Sequence, residues 1–575
     1  MKLSNLLIFT PLLLTIATAA TFTWDGASSN SNWTSANWTG ASVPNSNNGE
    51  FLVFAGTNKL SNVANNGQWT VAGLQFATNA GAFNLSGGGL YVGSSGIENL
   101  SSNTATISNQ FTLQSAQTWN ATNGNIVTSS QINAQNYALT LAGNKDITIN
   151  QVSNGGNLTF TGAGNRTTAG LYLSSNTLQI NNTGTNTYGQ VQAGTTNITA
   201  NSTNKFLNSI DSANMTISNG TNTFTGQATA NTKFDILGGT NTFNASVSAN
   251  TVLNVASSNA TTFNQQVNSG VVNISSNNTN VTFATTLNAN NGLNISGNSA
   301  VTIGNQLNAN AGLNISSGSL VVAGTTNASN GITVSGSGSF TASGQTNASS
   351  INLSTSGDTT FSGTVNTQSL LLTGTGTTTL DGSSGNSIQN TTVNNGTLIL
   401  DKSAGQALTG SVTVNGGTIE FAQNNQISNF VTITLNSGST LLLGDTLQSF
   451  AGIVVTGDSV IDFAGSSSTL NISQLSVNAG VNLTILNWNA ATDHFYTSNQ
   501  PNNAVLGTIV YDGYGPGANW SGVGGITPTS PVPEPSTYGA IMSAFIGLLY
   551  FLRRQTHLKR SILDNNASRT NPTQN

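Results

Sequence analysis

Cysteine is absent from the 575 residues, which excludes disulfide bonds and thiolate metal sites. Charge is also scarce, because Asp, Glu, Lys and Arg make up 5% of the chain and only two His are present. Residues 21–535 hold sixteen acids and six bases, a net charge of −10, which argues against a nucleic-acid partner. The sequence contains neither a His/Cys cluster nor a calcium-loop motif, so we expect no metal site and no cofactor.

The polarity of the chain comes instead from Asn, Ser, Thr and Gly. These residues favour turns and side-chain hydrogen bonds to the backbone. Hydrophobic residues make up 36% of the sequence, and Val, Ile, Leu and Phe occur singly among the polar residues. This pattern predicts β structure with many turns and a large core.

The sequence repeats itself about every twenty residues. Nine of ten positions agree between LNANNGLNIS (287–296) and LNANAGLNIS (307–316). Following this repeat in steps of 18–21 residues gives a first apolar column of Ile180, Ile198, Ile217, Ile236, Val255, Ile274, Ile295, Ile315, Val334, Leu353 and Leu372. Six to nine residues later in each repeat lies a second column of Tyr188, Phe206, Phe224, Phe243, Phe263, Phe283, Ile303, Val322, Phe340, Phe361 and Leu380. A shorter third column comprises Val247, Val267, Leu287, Leu307 and Val365.

Such columns predict an all-β, elongated β-solenoid, which we expect to be a right-handed parallel β-helix with coils of about 19–20 residues. Like residues then lie above one another at the strand spacing of about 4.8 Å. Stacked amides beside the first column can bond along the axis, at Asn254, Asn273, Asn294, Asn314 and Asn352. Winding all of residues 21–530 in this way would give about 26 coils over roughly 125 Å. Disorder, the alternative for residues 170–385, is disfavoured by the phased apolar residues.

The first twenty residues have the pattern of a secretory signal peptide. Lys2 supplies the positive start, residues 6–14 form an apolar stretch, and small residues precede a cleavage site near Ala19 or Ala20. The alternative is a buried helix at the start of a domain. We predict export.

A second apolar stretch, residues 536–552, lies near the other end and contains no charge. Its seventeen residues would form a helix of about 26 Å, enough to cross a thin hydrocarbon core. A basic cluster of Arg553, Arg554, Lys559 and Arg560 follows. By the positive-inside rule this cluster stays in the cytoplasm, which places residues 21–530 on the other side of the membrane.

The segment SPVPEPST (530–537) stands just before this stretch. The order of Val-Pro-Glu-Pro, a short apolar helix and an Arg cluster resembles the PEP-CTERM sorting signal of bacteria with two membranes. The resemblance implies that Pro533, Glu534 and Pro535 are recognised by a membrane-embedded exosortase, and that Arg553 and Arg554 retain the tail in the inner membrane. Family tails stop soon after the basic cluster, whereas this chain continues through residues 561–575. The alternative is a plain membrane anchor after a Pro-rich linker.

Tryptophan is confined to the two ends of the region between these signals, at Trp24, Trp33, Trp38, Trp69, Trp119, Trp488 and Trp520. We expect these residues to pack under caps that protect the solenoid ends, rather than to stack on sugars. Segments 22–56, 438–465 and 483–501 resemble the autotransporter-like β-strand-repeat proteins found among PEP-CTERM substrates. The predicted organisation is a signal peptide (1–20), an N-terminal cap and irregular solenoid (21–170), a regular solenoid (171–390), a C-terminal solenoid and cap (391–530) and a sorting tail (531–575).

The acids and histidines do not form a recognisable catalytic constellation. Asp458 and Asp462 would lie about 13 Å apart on one strand, beyond the roughly 5–9.5 Å of paired glycosidase carboxylates. The only adjacent acid and histidine are Asp493 and His494, which have no nucleophile nearby in the sequence, so we assign His494 a structural role. TGAGNR (161–166) lacks the full phosphate-loop pattern. We therefore expect no catalytic residues and no enzymatic activity.

These features together predict an exported, non-enzymatic rod of the cell surface or extracellular matrix. Its precursor would be anchored in the inner membrane and processed by an exosortase-type enzyme, and extracellular polysaccharide is a candidate partner. The alternatives are an autotransporter-like adhesin and a polysaccharide-active β-helix enzyme. The adhesin needs a C-terminal membrane barrel of at least eight strands of about ten residues, whereas only 45 residues follow position 530.

Overall fold

The computed structural model describes residues 19–530 except residue 278, together with residues 546, 548 and 549. The predicted signal peptide, apart from Ala19 and Ala20, lies outside these residues, as does the predicted membrane helix 536–552 apart from three positions. Within the part of the chain that is described, no helix is long and apolar enough to span a membrane.

The described chain is an all-β parallel solenoid of about 22 turns, in which 52 strands belong to one sheet. In the first part of the solenoid the strands are Thr21–Trp24, Glu50–Phe54, Val63–Ala64, Trp69–Phe76, Asn84–Ser86, Leu90–Asn99, Ala105–Ile107, Phe111–Leu113, Gln117–Ala121, Ile126–Thr128, Gln131–Asn133, Leu139–Gly143, Ile147–Ser153, Leu158–Phe160 and Arg166–Tyr172.

The middle part contains the most regular turns. Its strands are Thr177–Ile180, Thr185–Ile198, Thr203–Phe206, Ile210–Ile217, Thr221–Phe224, Ala228–Ile236, Thr240–Phe243, Val247–Val255, Thr261–Phe263, Val267–Ile274, Asn280–Phe283, Leu287–Ala289, Leu293–Ile295, Ala300–Ile303, Leu307–Asn308, Leu313–Ile315, Ser319–Val322, Thr326–Ala328, Ile332–Gly336, Ser339–Ala342, Thr346–Ala348, Ser350–Thr355, Thr359–Phe361, Val365–Leu372, Thr377–Gly382 and Ser387–Val393.

The last part ends in a small antiparallel hairpin formed by the final two strands. Its strands are Thr397–Lys402, Ser411–Val414, Thr418–Phe421, Thr432–Leu435, Thr440–Leu442, Leu447–Val455, Ser459–Asp462, Thr469–Val477, Leu483–Leu486, His494–Thr497, Ile509–Tyr511, Ala518–Trp520 and Ile526–Pro528. Within residues 19–530 the helices are a 3-10 turn at Thr39–Ala41 and an α-helix at Asn503–Gly507.

The first predicted column is confirmed at every step, because each of its members pairs with the next in parallel register from Ile180 to Leu372. Side chains alternate between the interior and the surface along each strand, so every member of the column is buried. The same column continues beyond its predicted limits, back to Leu52 and forward to Val477.

The predicted number of about 26 coils is wrong. It assumed that all of residues 21–530 wind at one repeat, whereas the first step, from Phe22 to Leu52, takes 30 residues and the chain after Val477 includes an α-helix and a hairpin. Several outer turns are also longer than the middle ones. Leu52 pairs with Leu74, and Leu74 pairs with Ile97, which are steps of 22 and 23 residues. About 22 turns at about 4.8 Å give a rod of roughly 105 Å instead of roughly 125 Å.

The second column is confirmed except at Phe340. Val322 pairs with Ala342, and Ala342 pairs with Phe361, so Ala342 occupies the position that the sequence predicts for Phe340. Phe340 lies two residues earlier on the same strand, where it pairs with Leu320. Both positions face the interior, because strand side chains alternate with a period of two. The small Ala342 leaves room for the larger ring, and Phe340 meets Phe361 edge to face.

The third column is also confirmed. Leu287 pairs with Leu307, and two buried threonines, Thr326 and Thr346, occupy the gap before Val365. Thr replaces an aliphatic side chain of similar shape at these two positions, so the column of buried side chains continues. The hydroxyl groups of both threonines have no hydrogen-bond partner among the described residues.

Glycine permits the tight turn that follows the third-column strand in three successive coils. Gly292, Gly312 and Gly331 have φ angles of 109°, 116° and 105°, a region that disfavours residues with a Cβ. The backbone N–H of each donates to the carbonyl three residues earlier, for example from Gly312 to Ala309 at 2.9 Å. These turns lead the chain into the strand of the first column.

Both ends of the solenoid are closed by aromatic packing. Trp24, Trp33, Trp38 and Trp69 are fully buried at the first turns, and Trp33 meets Trp69 edge to face at 5.1 Å. At the other end Trp488 is partly buried and packs against Tyr511. The expected packing role of the N-terminal tryptophans is therefore confirmed.

Candidate functional site

The predicted sorting residues Pro533, Glu534 and Pro535 and the basic cluster at 553–560 lie outside the described residues. The predicted cleavage positions, Ala19 and Ala20, are described and exposed. The carbonyl of Ala20 accepts a hydrogen bond from the backbone N–H of Phe51 at 2.8 Å. Pairing between the first two turns therefore begins at Ala20, one residue before the first strand.

Asp493 and His494 do not form an acid–histidine pair. The carboxylate of Asp493 is buried and accepts two backbone hydrogen bonds, from Ser468 at 2.8 Å and from Asn489 at 2.7 Å. The imidazole of His494 is exposed and stacks on Tyr496 with ring centroids 5.6 Å apart. Because the carboxylate is buried and engaged by backbone N–H groups while the imidazole is exposed, the carboxylate does not orient the imidazole.

Asp458 and Asp462 also stabilise turns of the chain. Asp458 is exposed, and its carboxylate accepts the backbone N–H of Asn482 at 2.8 Å. Asp462 accepts the backbone N–H of Ala464 at 2.9 Å and the side-chain amide of Asn487 at 2.7 Å. Each carboxylate thus joins its own turn to the following chain, and no metal-binding group of three or more acids and histidines occurs in the described part.

Two cations are buried inside the solenoid, and neither was recognised from the sequence. The guanidinium of Arg166 donates to four backbone carbonyls, including that of Thr161 at 2.7 Å and that of Gly143 at 3.0 Å. Burial lowers the pKa of Arg166 to about 10, and the nearby charge of Asp146 opposes this shift. The ammonium of Lys402 donates to the carbonyl of Gly363 at 2.8 Å, and burial likewise lowers its pKa. Both cations bind backbone rather than any group able to react.

An internal amide ladder begins next to Arg166. Asn186, Asn204, Asn222 and Asn241 are buried, and each of the first three donates its side-chain N–H to the side-chain oxygen of the next at 2.7–2.9 Å. The sequence signal for this ladder is the Asn two positions before the aromatic residue in four successive coils (TNTY, TNKF, TNTF and TNTF). The ladder satisfies polar groups inside the core, so its role is structural.

The predicted surface ladder beside the first column is confirmed over part of its length. Side-chain amides are bonded from Asn254 through Asn273 and Asn294 to Asn314 at 2.9–3.0 Å. The carboxylate of Asp235 begins the series by accepting from Asn254. Asn352 lies in the same column but pairs with Thr333, so the amide series stops at Asn314.

A second surface ladder, which was not predicted from the sequence, runs beside the third column. Its members are Asn268, Asn288, Asn308, Asn327, Asn347 and Asn366. Each of them after Asn268 donates its side-chain N–H to the side-chain oxygen of the member before it, at 2.7–2.9 Å. The signal in the sequence is an Asn directly after each third-column residue in six successive coils. These six residues are called the outer amide ladder below.

The last four members of the outer amide ladder line a groove along the rod. The groove has a volume of about 490 Å³ and is open to solvent. It is lined by Asn308, Asn310, Asn327, Ser329, Asn347, Ala348 and Asn366. Asn310 and Ser329 belong to the turns that precede Gly312 and Gly331, so the turns form one wall.

A second cleft lies between the last coil and the terminal hairpin, with a volume of about 500 Å³. Its lining includes Trp488, His494, Tyr496 and Tyr514. The hydroxyl group of Tyr511 donates to the carbonyl of Ile526 at 2.9 Å and holds the hairpin against the coil. Ile526 also lines the cleft, so the cleft lies where the hairpin packs on the end of the solenoid.

Comparisons of the chain with protein-family models, with curated proteins and with solved structures found no match. The fold and the groove therefore carry the functional argument.

Proposed function

We propose that this chain is an exported, non-enzymatic rod of the cell surface or extracellular matrix, sorted through a C-terminal signal of the PEP-CTERM type. The observation that carries the proposal is the continuous register of one buried column from Leu52 to Val477. Each coil contacts only its neighbours in such a fold, so the number of coils sets the length of the molecule. Right-handed winding is part of the proposal, because parallel crossovers are almost always right-handed.

The chemistry of the described residues supports a structural rather than a catalytic function. The carboxylates of Asp458, Asp462 and Asp493 are engaged with backbone or amide groups at turns. Arg166 and Lys402 are engaged with backbone carbonyls. A hydrolase or lyase of the β-helix type needs such groups to converge on a substrate, whereas here they join parts of the rod.

The two ends of the chain support the proposed export and sorting of the protein. Cleavage after Ala19 would keep the carbonyl of Ala20 and its hydrogen bond to Phe51 in the mature protein. We therefore place the mature N-terminus at Ala20. Residues 536–552 would hold the precursor in the inner membrane, with the basic cluster in the cytoplasm, until an exosortase-type enzyme acts near Pro533–Pro535.

Intact mass tests this route. The full-length chain is expressed in cells that contain an exosortase-type enzyme, and the protein is recovered from the membrane and from the cell surface and medium. We expect the exported form to begin at Ala20 and to lack the region from about Pro535 onward. Recovery of peptides 561–575 in most of the exported protein would contradict sorting and would leave a plain anchor.

Two single-residue variants test whether Glu534 is part of the recognition element. Glu534→Ala should leave unprocessed precursor in the membrane. Asp512→Ala, at an exposed acid in the last described turns, serves as the matched control and should be processed like the unmodified chain. Equal processing of both variants would show that Glu534 is not part of a recognition element.

A further inference from the structure

The outer amide ladder has hydrogen-bonding capacity that the protein itself does not use. A side-chain amide of Asn has two N–H donors and an oxygen that can accept two hydrogen bonds. Asn327 donates one N–H to Asn308 and accepts one from Asn347, and the described residues provide no partner for its second N–H or for its second acceptor position. Each coil of the ladder from Asn288 onward therefore presents at least one unused N–H.

The oxygens of the ladder divide into two kinds. Those of Asn308 and Asn347 each accept a second hydrogen bond, from Gln306 at 2.9 Å and from Gln345 at 2.9 Å. Those of Asn288 and Asn327 accept only from the next amide in the ladder. Unused N–H donors thus recur in every coil of the ladder, with about 4.8 Å between successive coils. Unused acceptor positions on the oxygens recur less often.

The amides are held in place before any ligand arrives. Every internal member of the ladder is fixed by the amides above and below it at 2.7–2.9 Å. Side chains that are already ordered lose little rotamer entropy on binding. The groove therefore offers a rigid row of donors and acceptors along the rod axis.

No residue that lines the groove is charged. All of its lining except Asn366 lies in residues 236–357, which contain no Asp, Glu, Lys, Arg or His. A nucleic acid or an anionic polymer would find no cation there to neutralise it. The unused amide groups match hydroxyl groups instead, because a hydroxyl can both donate and accept a hydrogen bond.

The direction of the groove favours an extended chain. The ladder amides that line it, Asn308, Asn327, Asn347 and Asn366, belong to four successive coils. A narrow polymer that lies along the axis can reach one amide in each of these coils. We propose that the groove binds a neutral, extended polysaccharide, of which a β-1,4-linked glucan is the representative, through hydrogen bonds from its hydroxyl groups to the outer amide ladder.

Affinity electrophoresis with hydroxyethyl cellulose, a neutral β-1,4-linked glucan derivative, tests the proposal on the full-length chain purified in detergent. Ser329→Trp, Asn310→Trp and Ala348→Trp each fill the groove from a lining position without removing an amide of the ladder. Thr302→Trp is the matched control, because Thr302 is exposed and does not line the groove. Thermal unfolding of all four variants identifies any that fail to fold.

We expect the polymer to retard the unmodified chain and the Thr302→Trp variant equally, and each folded groove variant to bind at least tenfold more weakly. Retention of binding in the groove variants, or absence of retardation of the unmodified chain, would overturn the proposal. Stronger retardation by polygalacturonate would overturn it in favour of an anionic ligand. Dimers that sediment together and are abolished by Ser329→Trp, without polymer binding, would show an interface between copies instead.

The inference depends on the solenoid and not on the sorting tail. Processing of the tail is read from masses of exported protein, whereas the groove is tested with purified protein. A negative result on tail processing therefore does not affect the interpretation of the binding experiment, and a negative binding result does not affect the interpretation of tail processing.

Discussion

Phe206 and Phe224 lie face to face in successive coils, with ring centroids 4.6 Å apart and ring planes within 1° of parallel. The same stack extends from Tyr188 to Phe283 with centroid separations of 4.5–4.9 Å. This separation equals the spacing of hydrogen-bonded strands, so the backbone sets the distance between the rings. The rings stabilise the rod mainly through the apolar area that they bury.

Truncation of one ring tests the stack. Phe224→Ala removes a fully buried side chain between two others and should cost about 3–5 kcal/mol through lost burial and the cavity left behind. Thr223→Ala, at the adjacent outward position, should cost under about 0.5 kcal/mol. Thermal unfolding together with hydrogen exchange in strands Thr203–Phe206 and Thr240–Phe243 measures the effect. Equal protection in the two variants would contradict a packed aromatic column.

A charge placed in the first column should be far more damaging than one placed on a bend. Ile295 is buried between Ile274 and Ile315, so Ile295→Asp must desolvate a carboxylate and should cost several kcal/mol. Asn298 is exposed, and Asn298→Asp should cost under about 1 kcal/mol. The thermal midpoints of the two variants provide the comparison, and similar midpoints would refute the assignment of Ile295 to the core.

The buried Arg166 gives a third prediction. Arg166→Met keeps an apolar side chain in the interior but leaves four carbonyls without their guanidinium donors, so we expect a loss of about 1–3 kcal/mol or more. Hydrogen exchange should accelerate in the adjoining strands Ile147–Ser153 and Thr185–Ile198. Lys205→Met, at an exposed position, is the control. An Arg166→Met variant as stable as the control would show that the cation adds nothing to the fold.

The pH dependence of unfolding should include a contribution from Asp445. Backbone N–H groups of Ser467 and Ser466 bond its carboxylate and lower its pKa from the ordinary value of 3.8. A lowered pKa in the folded state stabilises the fold above the unfolded-state value, and this contribution is lost as the pH falls through the lower folded-state pKa. Thermal midpoints measured from pH 7 to pH 2 should therefore fall less steeply in acid for Asp445→Asn than for Asp512→Asn. Parallel curves would rule out this contribution.

The sequence predicts the columns because the strands of each coil must turn apolar side chains toward a narrow interior. The pairing of Ile274 with Ile295 and of Phe243 with Phe263 follows directly from that requirement. It does not distinguish Phe340 from Ala342, since two positions on each strand face inward. Only the packing of neighbouring side chains decides between them.

The groove and the buried polar groups could be predicted less well. Asn residues are so frequent that the outer amide ladder does not stand out from the composition, although its Asn follows a third-column residue in six successive coils. Arg166 carries no periodic signal, because its contacts are to carbonyls that become available only after the coils stack. Coil length in the outer turns depends on loops whose size the periodicity does not specify.

The most direct measurement of the central claim is a pair of deletions compared by thermal unfolding and circular dichroism. Deletion of residues 287–306 removes one whole coil and brings Leu307 beneath Val267, Leu313 beneath Val272 and Val322 beneath Phe283. Deletion of residues 287–296 removes two strands of a coil, Leu287–Ala289 and Leu293–Ile295, and leaves the third. We expect the protein with the twenty-residue deletion to be exported as a rod shorter by about 4.8 Å, with nearly unchanged β content per residue. We expect the protein with the ten-residue deletion to be destabilised or retained in the cell. If both deletions unfold the protein to the same extent, a coil of about twenty residues is not its structural unit.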